Sequence, residues 1–112
     1  MAAFLIYRAW VRDPVAYRAY MACTPELIRR HGGRFLARGG ASETLEGDPE
    51  TARTIIVEFP DLAAARAFYR SGDYQAAIDL RRRCADVQMV IVDGIRPGET
   101  ENPPIPTPAG TL

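Results

Sequence analysis

The sequence contains no lysine, a single histidine, only two cysteines, and no apolar run long enough to span a membrane. Cys23 and Cys84 lie far apart without a CxxC spacing, which favours two free thiols over a metal site or a disulfide framework. Phosphate-binding loops, dinucleotide-binding fingerprints and the GxSxG pattern of hydrolases are also missing from the sequence. We therefore expect no metal, no cofactor and no membrane contact.

The net charge is zero, because the sequence contains 14 arginines and 14 acidic residues, which are interspersed along the chain. No basic patch marks a nucleic-acid or membrane surface, so we expect neither partner. The first eleven residues are apolar, but they contain Arg8 and lead directly into Asp13-Pro14 without a cleavage site. They do not form a signal peptide, and we expect a cytoplasmic protein.

The spacing of apolar residues and capping signals predicts four strands and two helical regions. Asp13 is placed to cap the first helix, Pro14 to occupy its first turn and Gly32 to end it, with a kink or restart at Pro25. A second helical region restarts at Ser71. The predicted strands cover residues 4–11, 33–39, 53–59 and 86–93, and the helices cover residues 14–31, 62–70 and 72–83.

This order, β-α-β-β-α-β, predicts an α+β ferredoxin-like sandwich with a four-stranded antiparallel sheet and the helices on one face. Gly47-Asp48-Pro49 marks the turn of a hairpin between the second and third strands. Residues 1–94 form the predicted domain. Residues 95–112 hold five of the nine prolines, so we expect an extended tail that adds little to the core.

Alternation along the strands divides the sheet into two faces. The uncharged set is assigned to the helix layer: Leu5, Tyr7, Ala9, Val11, Phe35, Ala37, Ile55, Val57, Phe59, Met89 and Ile91. The other set forms what we call the open face: Phe4, Ile6, Arg8, Trp10, Arg34, Leu36, Arg38, Thr54, Ile56, Glu58, Gln88, Val90 and Val92. Gly39 and Gly40 are expected at a bulge or a close backbone approach.

The open face is too apolar for water and too polar for a dry core, so we expect a second copy to cover it. Two facing sheets predict a homodimeric α/β barrel with a cavity between them. Glu58 is expected to pair with Arg8 or Arg34, either as a structural ion pair or in a pocket for a small polar or anionic molecule. Both interpretations stay open, and the candidate ligand-binding residues are Arg8, Trp10, Arg34, Arg38, Tyr17 and Tyr20.

Several spaced motifs carry a family resemblance. They are Asp13-Pro14 with Tyr17 and Tyr20, GGRFLARGG from Gly32, Leu45-Glu46-Gly47, Arg53, Glu58-Phe59-Pro60, Ala65 with Tyr69, Ser71 with Tyr74-Gln75, Arg81, and Asp93-Gly94. Together they resemble the domain-of-unknown-function family 1330 of the dimeric α/β-barrel superfamily. The resemblance implies a ferredoxin-like protomer that pairs sheet to sheet. It implies no assigned reaction, and relatives in the superfamily include cofactor-free monooxygenases, isomerases, heme-dependent enzymes and small binding proteins.

The leading hypothesis is therefore a homodimer that binds a small molecule. The alternative is a cofactor-independent monooxygenase or isomerase acting on a small oxygenated or aromatic substrate. In that alternative, Glu58 or His31 transfers a proton and a tyrosine hydroxyl orients the substrate oxygen. RNA binding by the sheet is the weakest reading, because the strands lack the basic and aromatic signature it needs.

Overall fold

A computed structural model describes residues 1–99 and 104–105. The elements are β1 (Ala3–Val11), α1 (Pro14–Arg30), β2 (Arg34–Arg38), β3 (Arg53–Phe59), α2 (Leu62–Arg70), α3 (Gly72–Ile78) and β4 (Ala85–Asp93). The strands form one antiparallel sheet in the order β2-β3-β1-β4. This is the predicted α+β ferredoxin-like fold, with the helices packed on one face.

The first helix begins as the sequence predicts but does not break. The Asp13 carboxylate accepts a hydrogen bond of 3.1 Å from the Ala16 amide, and Gly32 has a φ of 78° at the helix end. The predicted restart at Pro25 is wrong, since α1 runs unbroken through that residue. The buried stripe continues past it through Leu27 and Ile28, so packing against the sheet holds the helix together despite the missing N–H.

One serine ends α2 and starts α3. The Ser71 hydroxyl donates to the Phe68 carbonyl at 2.8 Å and accepts from the Tyr74 amide at 3.2 Å. The helix α3 ends at Ile78, before the predicted end at residue 83. Beyond it the bonds become tight i to i−3 turns, such as Arg81 N–H to the Ile78 carbonyl at 3.0 Å. Arg81 therefore lies in a turn that leads into β4.

The hydrophobic core lies between the sheet and the helices, on the face that strand alternation predicts. Tyr74, Phe59, Phe68 and Val57 are its largest fully buried side chains. Most of the predicted strand residues are buried there or pack against it. Ala37 is an exception, because it is exposed.

A β-bulge explains that exception and moves two residues across the sheet. Phe35 pairs with Val57 but Ala37 pairs with Ile56, so one extra residue is inserted between them. Ala37 consequently belongs to the open face, and Arg38, opposite Ile55, belongs to the helix side. The prediction that Arg38 lies on the open face is wrong for this reason.

Two outcomes are predicted for the glycine pair after β2, a bulge or a close approach, and the structure shows a close approach at Gly39. Gly39 has a φ of 71°, and a Cβ there would lie 2.6 Å from the Nε atom of Arg53. It marks a close approach by that guanidinium, which is the other outcome the sequence allowed. Gly40 has open space around it.

The chain after β4 leaves the core. Ile95 is 82% exposed, and Arg96 and Glu99 form a local turn closed by backbone and side-chain hydrogen bonds. Most of the predicted tail, residues 100–103 and 106–112, lies outside the described residues. Within the part of the chain that is described, no helix combines the length and the apolar character needed to cross a membrane.

Candidate functional site

Four buried tyrosines, which we call the tyrosine cluster, meet between the sheet and the helices. Tyr7 comes from β1, Tyr17 and Tyr20 from one face of α1, and Tyr74 from α3. The hydroxyls of Tyr7 and Tyr17 lie 2.7 Å apart, as do those of Tyr20 and Tyr74. The rings of Tyr17 and Tyr20 pack with centroids 5.3 Å apart. Each hydroxyl therefore has a partner, which is what allows four phenols to be buried together.

Burial is the main cause that raises the pKa of Tyr7, Tyr17 and Tyr20 above the ordinary tyrosine value. The neighbouring hydroxyls of Tyr74 and Tyr7 raise the pKa of Tyr20 further. A phenol that keeps its proton at neutral pH can donate a hydrogen bond but does not act as a general base. Tyr7, Tyr17 and Tyr20 thus give the cluster neutral, polar hydroxyl groups.

Arg81 reaches the tyrosine cluster from the turn after α3, and it is only 9% exposed. Its Nη2 atom lies 3.5 Å from the Tyr74 hydroxyl and 3.7 Å from the Met89 sulfur, and its guanidinium carbon is 5.4 Å from the ring centroid of Tyr20. Burial alone would lower the pKa of Arg81, but the hydrogen bond to Tyr74 and the nearby tyrosines outweigh it and raise that pKa. The side chain is a permanent cation.

Arg81 lacks the partner that a buried cation normally has. Among residues 1–99 and 104–105, no carboxylate lies within ion-pair distance of it. Its Nε atom is buried without any hydrogen-bond partner in the same part of the chain. Aromatic faces offset part of the charge, but they do not accept the Nε proton in the way that an anion does.

Arg81 also lines a groove of about 750 Å³ between α2, α3 and β4, which we call the Arg81 groove. Its lining includes three more arginines, Arg66, Arg70 and Arg82. The acidic residue in the lining, Asp86, already pairs with Arg12 at 2.7 Å. Gln75 and a larger number of apolar side chains complete the walls, so the groove is suited to a molecule that carries negative charge on an apolar body.

The tyrosine cluster contains two of the predicted ligand-binding residues, Tyr17 and Tyr20. Neither lines the Arg81 groove. Tyr20 instead lines a small inner cavity of about 30 Å³, which Leu5 and Met89 share with the groove. That volume is room for about one water molecule, so these hydroxyls face the interior rather than an open pocket.

The open face holds four other predicted residues, Glu58, Arg34, Arg8 and Trp10. Glu58 accepts a hydrogen bond of 2.8 Å from Arg34 directly across the β2–β3 pair, as predicted. Arg8 donates to the Gln88 side chain, its neighbour across β1 and β4, at 3.2 Å. Trp10 is 37% exposed at the end of β1. Arg34 is therefore paired with a carboxylate, and Arg8 has a neutral hydrogen-bond partner, Gln88, on the same face.

The remaining predicted residues, Arg38 and His31, lie apart from the tyrosine cluster and from the open face. Arg38 stacks over the Phe35 ring at 4.5 Å. The Nδ1 atom of His31 lies 2.9 Å from the Leu27 carbonyl, and its ring meets Phe68 edge-on. The structure does not bring His31 near Glu58 in one pocket, because the first closes α1 on the helix side and the second is on the open face. Within the described residues, no cluster of His, Cys, Asp and Glu could hold a metal ion.

Sequence reasoning missed Arg81, Arg66 and Arg70 as site residues. The helix predicted over residues 72–83 ends at Arg81, Arg82 and Arg83, where basic side chains suit the helix dipole, and this explains their charge but not the direction of Arg81. A usable signal was present, because Tyr74, Ile78 and Arg81 follow a helical i, i+4, i+7 spacing that continues the buried stripe. This spacing predicts that Arg81 is buried.

Solved structures with the same fold come from several organisms. The RPA0582 protein of unknown function from Rhodopseudomonas palustris is 23% identical, with a TM-score of 0.67 over 86% of this chain and 84% of that one. SnoaB, a cofactor-independent oxygenase from Streptomyces nogalater, is 14% identical, with a TM-score of 0.57 over 85% and 94%. A dimeric protein of unknown function from Bacteroides fragilis, with a ferredoxin-like fold, is 14% identical, with a TM-score of 0.52 over 83% and 96%.

These likenesses establish the fold. A comparison with curated proteins finds no match. A family model does match the sequence, over residues 2–95, which include every strand and helix described above. The chain therefore belongs to the family described as Domain of unknown function (DUF1330).

Proposed function

We propose that the protein is a homodimeric binding protein that takes a small anionic molecule with an apolar body into the Arg81 groove of each protomer. The observation that carries the proposal is the Arg81 guanidinium, 9% exposed, with no carboxylate partner and with an unsatisfied Nε among the described residues. Burying an unpaired charge costs several kcal/mol, on the order of what breaking a buried pair costs. A bound anion would supply the missing partner.

This proposal moves the ligand from the position that the sequence favoured. The expected cavity lay between two facing sheets, with Arg34, Arg8 and Glu58 at its wall. Those groups already bond to side chains of their own sheet. The Arg81 groove instead has three arginines without a carboxylate partner among the described residues, Arg66, Arg70 and Arg81, so it is the better receptor for an anion.

The homodimer is supported by the apolar part of the open face. Val90 and Val92 are each 45% exposed and Leu36 is 49% exposed, while Ile6 and Ile56 between them are half-buried. Such a row is best covered by a second copy of the same surface, since a twofold axis pairs it with itself. The similar protein from Bacteroides fragilis is itself described as dimeric.

Nuclear magnetic resonance tests the site directly, because the Arg81 Nε–H group gives its own signal. Benzoate combines a carboxylate with an apolar ring and serves as the probe. We expect it to shift that signal, and Arg81→Met to abolish binding. The open-face variant Arg34→Gln is the matched control and should bind benzoate as the wild type does. Loss of binding in Arg34→Gln but not in Arg81→Met would return the site to the open face.

A second candidate is the cofactor-independent enzyme, which the fold shared with SnoaB favours. Its proposed proton-transfer groups are Glu58, held by Arg34, and His31, held by the Leu27 carbonyl. Neither lines the Arg81 groove. If the protein consumes oxygen with a small aromatic substrate, Glu58→Gln or His31→Ala should reduce the rate at least tenfold. Unchanged rates in both variants would remove these two roles.

A further inference from the structure

We infer that the ligand of the Arg81 groove is a dianion, with one anionic group at Arg81 and a second at Arg66 and Arg70, joined by an apolar body. The inference rests on the proposed function, and it adds the charge and shape of the ligand.

The balance of charge in the groove is the first argument. Arg82 bonds to Asp79 at 3.1 Å, and Asp86 bonds to Arg12 at 2.7 Å, so these groups are already neutralised. Arg66, Arg70 and Arg81 have no carboxylate within ion-pair distance in residues 1–99 and 104–105. A single carboxylate at Arg81 would leave two unpaired guanidiniums in the same groove.

The spacing of Arg66 and Arg70 is the second argument. They are four residues apart on α2, which places them on the same side of the helix, roughly 6 Å apart along its axis. Both are exposed, whereas Arg81 is buried. Two arginine side chains at this backbone spacing are able to reach one carboxylate or phosphate together. The groove therefore has a buried position and an outer position for negative charge.

The groove also has an apolar wall. Ile78, Met89 and Ile91 line it, and Tyr69, which precedes Arg70 in the sequence, is 44% exposed. A doubly charged ion without an apolar part, such as inorganic phosphate, would leave this wall in contact with water. A ring or short hydrocarbon that carries an anionic group at each end fits both kinds of lining.

Calorimetric titration with three related compounds tests the inference. Terephthalate carries carboxylates at opposite ends of a ring, monomethyl terephthalate has the same length with one charge, and benzoate has one charge and no second group. We expect terephthalate to bind at least tenfold more tightly than either. Arg66→Gln/Arg70→Gln should reduce its affinity to that of monomethyl terephthalate, with benzoate unchanged. Arg81→Met should weaken all three.

Arg18→Gln/Arg83→Gln is the control for charge, since it removes two exposed arginines that do not line the groove. It should leave the tenfold preference intact. Equal affinities for the three compounds, or an equal loss in the two double variants, would overturn the dianion while the binding function stands. If wild-type protein binds none of them at millimolar concentration, both proposals fall.

Discussion

The two faces of the sheet hold their charged side chains in opposite ways. On the open face, Arg34 and Glu58 pair across neighbouring strands at 2.8 Å, with the arginine side chain 71% exposed. On the helix side, Arg81 is 9% exposed and is surrounded by tyrosines instead of a carboxylate. The exposed arginine has an acidic partner, and the buried one, which needs it more, has none among the described residues.

This difference assigns a separate role to each face of the sheet. An exposed ion pair contributes about 0.2–1 kcal/mol to stability, so the open face gains little from its charges and needs a cover for its apolar residues. A buried guanidinium without an anion does not help the fold, because an apolar side chain of similar volume would fill the same place at lower cost. We therefore read the open face as an assembly surface and the Arg81 side as a binding surface.

The largest expected effect comes from pH. Because burial raises the pKa of Tyr7, Tyr17 and Tyr20, the folded protein keeps protons that the unfolded chain loses near pH ~10. Stability is fully present below that pH and falls above it, by about 1.4 kcal/mol per pH unit for each of Tyr7 and Tyr20, or about 3 kcal/mol per pH unit together, and Tyr17 adds to the fall in the same direction. Urea denaturation between pH 8 and 11 measures this. Tyr20→Phe should show a slope shallower by about 1.4 kcal/mol per pH unit, and a flat wild-type profile would contradict the burial of these three tyrosines.

The next effect concerns assembly. Ile56→Asp puts a carboxylate at the centre of the open face, and we expect it to weaken the dimer by about 2–4 kcal/mol, the range of an interface hot spot. Light scattering across a concentration series should then detect monomers. Val92→Asp, at a position that is 45% exposed, tests the same surface without risk to the core. The control Val15→Asp, on the outer side of α1 and 68% exposed, should stay dimeric. A dimer unaffected by both open-face changes would show that another surface pairs.

A smaller effect distinguishes a binding arginine from a structural one. Arg81→Met keeps most of the side-chain volume and removes the charge, so the free energy of unfolding should stay the same or rise by about 1–2 kcal/mol. Arg81→Ala leaves a cavity and should lower it by about 2–4 kcal/mol. Thermal and urea denaturation compare the two variants. If Arg81→Met destabilises the protein as much as Arg81→Ala does, the contacts between Arg81 and the tyrosines stabilise the fold.

The two faces also show which side-chain directions can be predicted from the sequence. Alternation placed Leu5, Tyr7 and Val57 correctly on the helix side, because a strand fixes side-chain direction residue by residue. It failed at Arg38, since one inserted residue at the bulge reverses the alternation and leaves no separate mark in the sequence.

The site was harder to predict than the fold. The pairing of Glu58 with Arg34 could be foreseen, because a mid-strand carboxylate needs a neighbour. The missing partner of Arg81 could not, since it depends on which side chains from α1, α3 and β1 meet around it in three dimensions.

The smallest expected effect tests whether the open face is dry or wet. A double-mutant cycle with Arg34→Gln and Glu58→Gln should give a coupling of no more than about 1 kcal/mol when it is measured in the monomeric Ile56→Asp background. In the proposed dimer a second sheet would cover the same pair, so its coupling should increase in the wild-type protein. Chemical denaturation of the two sets of variants supplies both numbers. Equal couplings would mean that water still reaches Arg34 and Glu58 in the assembled protein, and that the apolar residues alone hold the two sheets together.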